Sequence, residues 1–215
     1  SCLHRPSAAL LVTDALVGIS SQPPEVFKHD PAPLLFHARD RGDQPFEDTP
    51  DHRRRGWARL VLFASYLRPE PLDVPSWLQV IRYAFRPGLR SARTHFGIYP
   101  FAWKPGWLDS AKALMGDDQP RLQVAPVLER LVLPRQRQAL IAWLAALEQQ
   151  RDLRWLVPAH YSAPLTFSTQ QVVQLREHLM MREWAPSEGN WEFLGSIDQT
   201  LLNLGVVPDS AKSSQ

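Results

Sequence analysis

The sequence predicts an α/β protein, because short apolar runs typical of buried strands alternate with longer stretches of helical apolar spacing. Two runs, residues 8–13 and 153–157, have the length and composition of strands buried on both faces. Between them, residues 135–149 form the clearest helix, and its apolar side should pack on the sheet. The residues expected there are Leu140, Trp143, Leu144 and Leu147. With 215 residues, 44% of them hydrophobic, the chain can bury one substantial core or two small ones, which excludes a disordered chain.

The elements between these three are predicted from helix caps, prolines and apolar spacing. Thr49-Pro50 is a typical helix start, a capping residue followed by proline at the first helical position, and this helix should run to about residue 67. The remaining predicted elements are, in order, an irregular stretch over 22–48, a helix from Asp73 or Ser76 through Ala84, an aromatic loop over 94–107, a helix over 108–115, a strand over 122–133, and helices over 168–184 and 191–204.

Charge and composition exclude several classes of function. A net charge of +2 is too small for a nucleic-acid-binding face, and the run Arg82, Arg86, Arg90, Arg93 is interpreted as a solvated surface, since Pro87-Gly88 breaks its helical register. The longest apolar run, residues 139–147, is half of what a membrane span needs. One cysteine, Cys2, cannot form an internal disulfide, which fits a soluble, cytoplasmic protein.

Two polar residues follow predicted buried strands directly. Asp14 comes after the strand over 8–13, and His160 follows the strand over 153–157. In α/β folds, ligand sites collect at the carboxyl ends of strands, and a carboxylate and an imidazole brought together there could hold a divalent metal. Each residue also has an ordinary structural interpretation: Asp14 can be a turn-forming residue, and His160 can be a packed, hydrogen-bonded histidine. The interpretation as a packed histidine also applies to His95 in the aromatic loop.

Several long phrases in the chain are similar to one uncharacterised family, a domain-of-unknown-function family found mainly in oxygenic phototrophs. That family itself resembles a divergent metallo-β-lactamase fold. The phrases lie at residues 3–7, 10–19, 33–43, 54–64, 95–101, 156–164 and 190–198, and include Leu-Leu-Val-Thr-Asp, His-Phe-Gly-Ile-Tyr-Pro-Phe and Leu-Val-Pro-Ala-His-Tyr-Ser.

The resemblance implies the carboxyl-terminal half of a metallo-β-lactamase-like αβ/βα sandwich with a large helical and loop insertion. In such hydrolases a strand ends in an aspartate that bridges two metals, and a late strand ends in a histidine of the second metal's shell. Thr13-Asp14 is similar to the first and Pro158-Ala159-His160 to the second. The amino-terminal His-x-His-x-Asp-His cluster has no counterpart here. The implied division is a single (half-)domain over 1–207, with the insertion at about 49–116, and a disordered tail over 208–215.

Two hypotheses about function follow from the resemblance. In the first, the chain is part of a metal-dependent hydrolase of unknown substrate, with Asp14 and His160 among the ligands of zinc, iron or manganese. That metal would belong to the full-length protein and not to this chain alone, which has two of the three protein ligands a catalytic zinc normally keeps. In the second, the fold is a non-catalytic binding or scaffold module that uses the Trp- and Arg-rich segment 77–107. The expected partner is a small-molecule substrate or the missing amino-terminal half.

A missing half-fold has a consequence for solvent exposure. One alternate set of side chains from the strands over 8–13, 122–133 and 153–157 should form an exposed apolar patch. Burial of all four of Leu10, Val12, Leu156 and Val157 within this chain would indicate a self-sufficient domain instead.

Overall fold

A computed structural model describes residues 1–85, 98–116, 119–181 and 188–209. The predictions for His95, for the arginines at 86, 90 and 93, and for the tail from residue 210 onward fall outside these residues. The described part is a mixed α/β structure of eight α-helices and three small sheets. No described helix is both long enough and apolar enough to cross a membrane.

The predicted helices and strands occur in the predicted order with one exception, and the structure adds five short strands that the sequence did not indicate. The strands are β1 (Cys2–His4), β2 (Ala9–Val12), β3 (Val17–Ile19), β4 (Leu72–Asp73), β5 (Ala102–Trp103), β6 (Arg121–Gln123), β7 (Trp155–Pro158) and β8 (Leu165–Thr166). The helices are α1 (Ala32–Ala38), α2 (Pro50–Tyr66), α3 (Trp77–Ala84), α4 (Trp107–Leu114), α5 (Pro126–Leu131), α6 (Arg137–Glu148), α7 (Thr169–Met181) and α8 (Glu188–Asn203).

The exception is the predicted strand over 122–133, which is wrong. Pairing with β3 ends at Gln123, and Pro126 begins α5 instead of interrupting a strand. Proline suits the first helical position because its missing N–H has no intrahelical acceptor there. The apolar residues that suggested a long strand are divided in the structure between β6, α5 and the turn that follows α5.

The irregular stretch predicted over 22–48 is wrong at Ala32–Ala38, which form a helix. Pro33 lies in the first turn of this helix, where proline is tolerated, so a proline that suggested an irregular loop instead helps to start a helix.

The central sheet has the order β1-β2-β7-β8. Its middle strands β2 and β7 are parallel, with Leu10 opposite Leu156 and Val12 opposite Pro158, while both edge pairs are antiparallel. β2 and β7 are the two apolar runs that predicted buried strands, and their carboxyl ends therefore lie side by side. β3 pairs with β6, and β4 with β5, in two separate two-stranded sheets.

One face of the central sheet is covered by α6 and α7. Alternate strand residues pack there with Leu144 of α6 and Val172 of α7, both fully buried, which confirms the prediction that helix 135–149 lies on the sheet. We call this group the aliphatic cluster; its members are Leu10, Val12, Leu16, Val124, Leu140, Leu144, Leu147, Leu153, Leu156, Leu165, Val172, Leu175 and Leu179.

The opposite face of the same sheet is only partly covered. Leu11 and Trp155, which alternate with the buried residues of β2 and β7, are both exposed, and Val157 is half-buried. Leu10, Val12 and Leu156 are buried within this chain, so the condition for a self-sufficient domain is met at three of four positions.

A second core surrounds α2, which begins as predicted at Thr49-Pro50. Gly56 lets α2 approach α1 closely, because a Cβ at this position would lie 1.8 Å from the Leu34 carbonyl oxygen. We call this group the aromatic cluster; its members are Val17, Ile19, Leu34, Phe36, Trp57, Ala58, Val61, Leu62, Tyr66, Leu72, Tyr99, Trp103, Ala111, Leu114, Trp191 and Leu194.

Candidate functional site

Asp14 and His160 lie in contact at the carboxyl ends of β2 and β7. Val12 is opposite Pro158 in the parallel register, so the residues two positions further on, Asp14 and His160, are also level with each other. The His160 Nε2 atom lies 2.8 Å from the Asp14 Oδ1 atom. The strand-end pattern in the sequence therefore located a real juxtaposition, which follows from the parallel pairing of two short apolar strands.

The backbone beyond the strands holds both residues in place. The Ala159 N–H donates to the Thr13 carbonyl at 3.4 Å, and the Ser162 N–H donates to the Gly18 carbonyl at 3.1 Å. Tyr161 has a φ of 66°, a left-handed conformation that costs a bulky residue free energy and persists only where its surroundings impose it. This reversal turns the chain from β7 toward β3 directly after His160.

Tyr161 is the residue of this site that the sequence did not single out. Its ring meets Trp57 edge-on at a centroid distance of 6.0 Å. Burial raises the pKa of the Tyr161 hydroxyl, and the neighbouring Ser65 hydroxyl acts in the opposite direction. The anchoring of Tyr161 in the aromatic cluster leaves the neighbouring His160 at the sheet edge. A tyrosine directly after a strand-terminal histidine does not by itself predict a positioning role, because its packing against Trp57 depends on the tertiary fold.

The contact between Asp14 and His160 fixes what the imidazole can do. An ionised carboxylate accepts only, so Nε2–H donates to Asp14 and, in the neutral ring, Nδ1 is the acceptor. The side chains remain 51% and 64% exposed for Asp14 and His160, respectively, so both are accessible from solvent. A carboxylate that orients an imidazole in this way fixes the tautomer of the neutral ring and so decides which ring nitrogen faces solvent as an acceptor.

The same two side chains are a partial donor set for a divalent metal. A carboxylate and an imidazole are ligands that zinc, iron and manganese accept, and the pair is close enough to share one ion. No group of three His, Cys, Asp or Glu side chains that could hold a metal occurs within the described residues. The pair therefore fits as two ligands but does not by itself complete a catalytic zinc site, which normally has three protein ligands.

A second polar group, buried and not predicted, lies in the aromatic cluster. Arg59 is 1% exposed; its Nη1 donates to the carbonyls of Ala38 and Arg39 at 3.0 and 2.9 Å, and its Nη2 pairs with Asp40. Burial acts to raise the pKa of Asp40, but the hydrogen bond and charge of Arg59 hold it below its usual value. Because the buried guanidinium is held by these carbonyls and by the partly exposed Asp40 carboxylate, we assign the group to the fold.

Arg39, beside this pair, is enclosed by aromatic rings. Its guanidinium lies 4.2 Å from the centroid of Phe46 and 4.5 Å from that of Tyr99. Burial lowers the pKa of Arg39 to about 10, against the influence of Tyr99. Cation–π contacts compensate a buried guanidinium that has few hydrogen-bond acceptors.

Comparison with known proteins yields one match. Residues 1–178, which include both Asp14 and His160, match the model of a family described as a domain of unknown function (DUF4336). No curated protein and no solved structure matches the chain. The match confirms the resemblance to a domain-of-unknown-function family that the sequence phrases indicated. Because the family model covers more than half of its residues, the chain belongs to the DUF4336 family.

Proposed function

We propose that the chain is part of a divergent metallo-β-lactamase-like hydrolase and contributes Asp14 and His160 to its metal site. The observation that carries this proposal is the 2.8 Å contact between the two side chains at the ends of adjacent parallel strands. A metal bound by both would take the place of the proton they share. The remaining ligands of the metal would come from parts of the full-length protein that the structure does not describe.

The uneven covering of the central sheet supports the finer fold assignment. Helices cover one face, whereas the other face leaves Leu11 and Trp155 exposed beside the half-buried Val157. Sheets that pack face to face bury such residues between them. We propose that a second sheet of the full-length protein covers this face, as in an αβ/βα sandwich.

The proposed reaction class is metal-assisted hydrolysis of a small ester, thioester or phosphoester. A metal held by Asp14, His160 and the remaining ligands would supply a water activated as a nucleophile near neutral pH. In this chain, Asp14 would hold the His160 ring in one orientation until the metal binds, and the strand ends would keep both ligands at the solvent-facing end of the sheet. Tyr161 would act as a positioning residue through its burial beside Trp57.

Metal analysis of the protein made from its complete coding sequence tests the proposal. We expect stoichiometric zinc, iron or manganese in the purified protein and loss of most of it in Asp14→Asn and His160→Gln. Asp152→Asn and His29→Gln are matched controls, since they remove the same functional groups from exposed positions elsewhere. A protein without metal, or metal content unchanged by the two site variants, would contradict the proposal.

A second candidate function is a binding module, carried by the exposed apolar side chains of α3 within the segment 77–107. The two candidates are independent. Variants of α3 should leave the metal content unchanged, and Asp14→Asn should leave association through α3 unchanged.

A further inference from the structure

Helix α3 presents large apolar side chains to solvent. Trp77, Ile81 and Phe85 follow one another at four-residue spacing, and Leu78 lies seven residues before Phe85, so all four share one face. Their exposed fractions are 73% for Trp77, 82% for Leu78, 49% for Ile81 and 67% for Phe85. Isolated exposed apolar residues are ordinary, but a contiguous helical face of four, two of them aromatic, marks an interaction surface.

The rest of α3 is fixed to the body of the protein. Val80 and Ala84, on the neighbouring side of the helix, are buried, and Tyr83 is half-buried close to Gly42. A partner therefore cannot enclose the helix in a deep groove, because the back of the helix is already packed. The exposed face therefore suits a partner whose surface is flat over the length of this helix.

The sequence from α3 to Lys104 carries charged residues of one sign. Between Asp73 and Asp109 the sequence carries five of the chain's basic residues, Arg82, Arg86, Arg90, Arg93 and Lys104, and no acidic residue. Of these, Lys104 pairs with Asp73 at 2.8 Å and is therefore neutralised within the protein. Arg82 belongs to α3 itself and is exposed at the border of the apolar face. The concentration of positive charge in a nearly neutral protein indicates a negatively charged partner.

We propose that α3 docks the protein on the surface of an anionic lipid bilayer, lying flat with Trp77, Leu78, Ile81 and Phe85 in the interface and Arg82 at the headgroups. This inference rests on the second candidate function and names its partner. A short amphipathic helix with tryptophan, phenylalanine and leucine on one face and arginine at its border has the composition of helices that lie in the membrane interface. A bilayer is flat and its anionic leaflet matches the charge.

Vesicle co-sedimentation with the full chain tests the proposal. We expect binding to vesicles of phosphatidylcholine containing about one-third phosphatidylglycerol, little binding to phosphatidylcholine alone, and weaker binding in high salt. Leu78→Ser should lower the apparent affinity about tenfold or more, the range expected for a fully inserted apolar side chain. Arg82→Gln should lower it about fivefold. Leu204→Ser and Arg151→Gln, exposed positions outside this segment, should have no effect.

Quenching of tryptophan fluorescence by brominated acyl chains identifies the docking face. Trp77→Phe should remove most of the quenching while vesicle binding persists, whereas Trp155→Phe, on the exposed face of the central sheet, should leave it. Absence of binding to the anionic vesicles, or quenching that Trp155→Phe removes and Trp77→Phe does not, would overturn the proposal. A concentration-dependent dimer in sedimentation velocity that Leu78→Ser dissociates, with no vesicle binding, would overturn it in favour of a second copy of the chain.

Discussion

The two cores of this protein are built from different chemistry. The aliphatic cluster beneath the central sheet consists of leucines and valines from β2, β7, α6 and α7. The aromatic cluster around α2 combines rings from distant parts of the chain and borders two buried guanidinium groups, Arg39 and Arg59. The comparison teaches that the first core depends on volume and packing, whereas the second also depends on satisfying buried charge.

The largest effect should come from the buried charge. Arg59→Met takes the main partner from Asp40 and the buried donor from the carbonyls of His37 and Ala38, while the Arg39 carbonyl keeps its bond from Tyr99. We expect a loss of about 3–5 kcal/mol in the free energy of unfolding, because unsatisfied buried acceptors are costly. Urea denaturation measures it, with Arg151→Met as the exposed control. A loss below about 1 kcal/mol would show that the aromatic cluster does not depend on the ion pair.

The corresponding test of the aliphatic cluster removes volume alone. Leu144 is fully buried, and Leu144→Ala should cost roughly 2–5 kcal/mol through lost apolar burial and the cavity left behind. Leu204→Ala, at an exposed position after α8, should change the unfolding free energy by less than about 0.5 kcal/mol. If both variants had the same stability, the cluster would not be the packed core described here.

A carboxyl group on α5 sharpens the comparison, because α5 packs against both cores: Val127 and Leu131 against the aromatic cluster and Leu128 against the aliphatic one. Burial raises the pKa of Glu129 to about 7, with Arg137 acting in the opposite direction. The folded state then holds a proton that the unfolded chain releases from about pH 4.5, so stability falls as pH rises from about 4.5 to 7.

Glu129→Gln should remove this loss. Above pH 7 the variant should be more stable than the wild type by roughly 2–3 kcal/mol, and near pH 4 the two should agree. Thermal or urea denaturation across this pH range measures the difference, with the exposed Glu192→Gln as control. Parallel pH profiles for wild type and Glu129→Gln would refute the assignment.

The smallest predicted effect concerns the start of α2, which supports the aromatic cluster. The Thr49 hydroxyl accepts from the His52 N–H at 3.1 Å, and Thr49→Ala should cost about 1 kcal/mol. Thr49→Ser keeps the cap and should retain most of the stability. Equal destabilisation by both substitutions would show that the methyl group, not the cap, is what matters.

The same contrast explains what the sequence predicted. The start of α2 at Thr49-Pro50, α6 over the sheet, and the strands that bring Asp14 beside His160 all follow from local caps and apolar spacing. Local signals failed at Pro126, where an apolar stretch contains both the end of a strand and the start of a helix. They also could not identify Arg59, because its partners Ala38, Arg39 and Asp40 lie at and just after the end of α1, which the fold brings to α2.

Nitrogen NMR of the His160 ring during zinc titration tests the proposed metal site most directly, in the protein made from its complete coding sequence and stripped of metal. We predict that the His160 ring signals change and saturate at one equivalent of zinc, with proton release, since a coordinated imidazole nitrogen cannot keep its proton. Asp14→Asn should weaken this binding at least tenfold. His160 signals that stay unchanged through a full equivalent of zinc, or the same affinity in Asp14→Asn, would contradict the account.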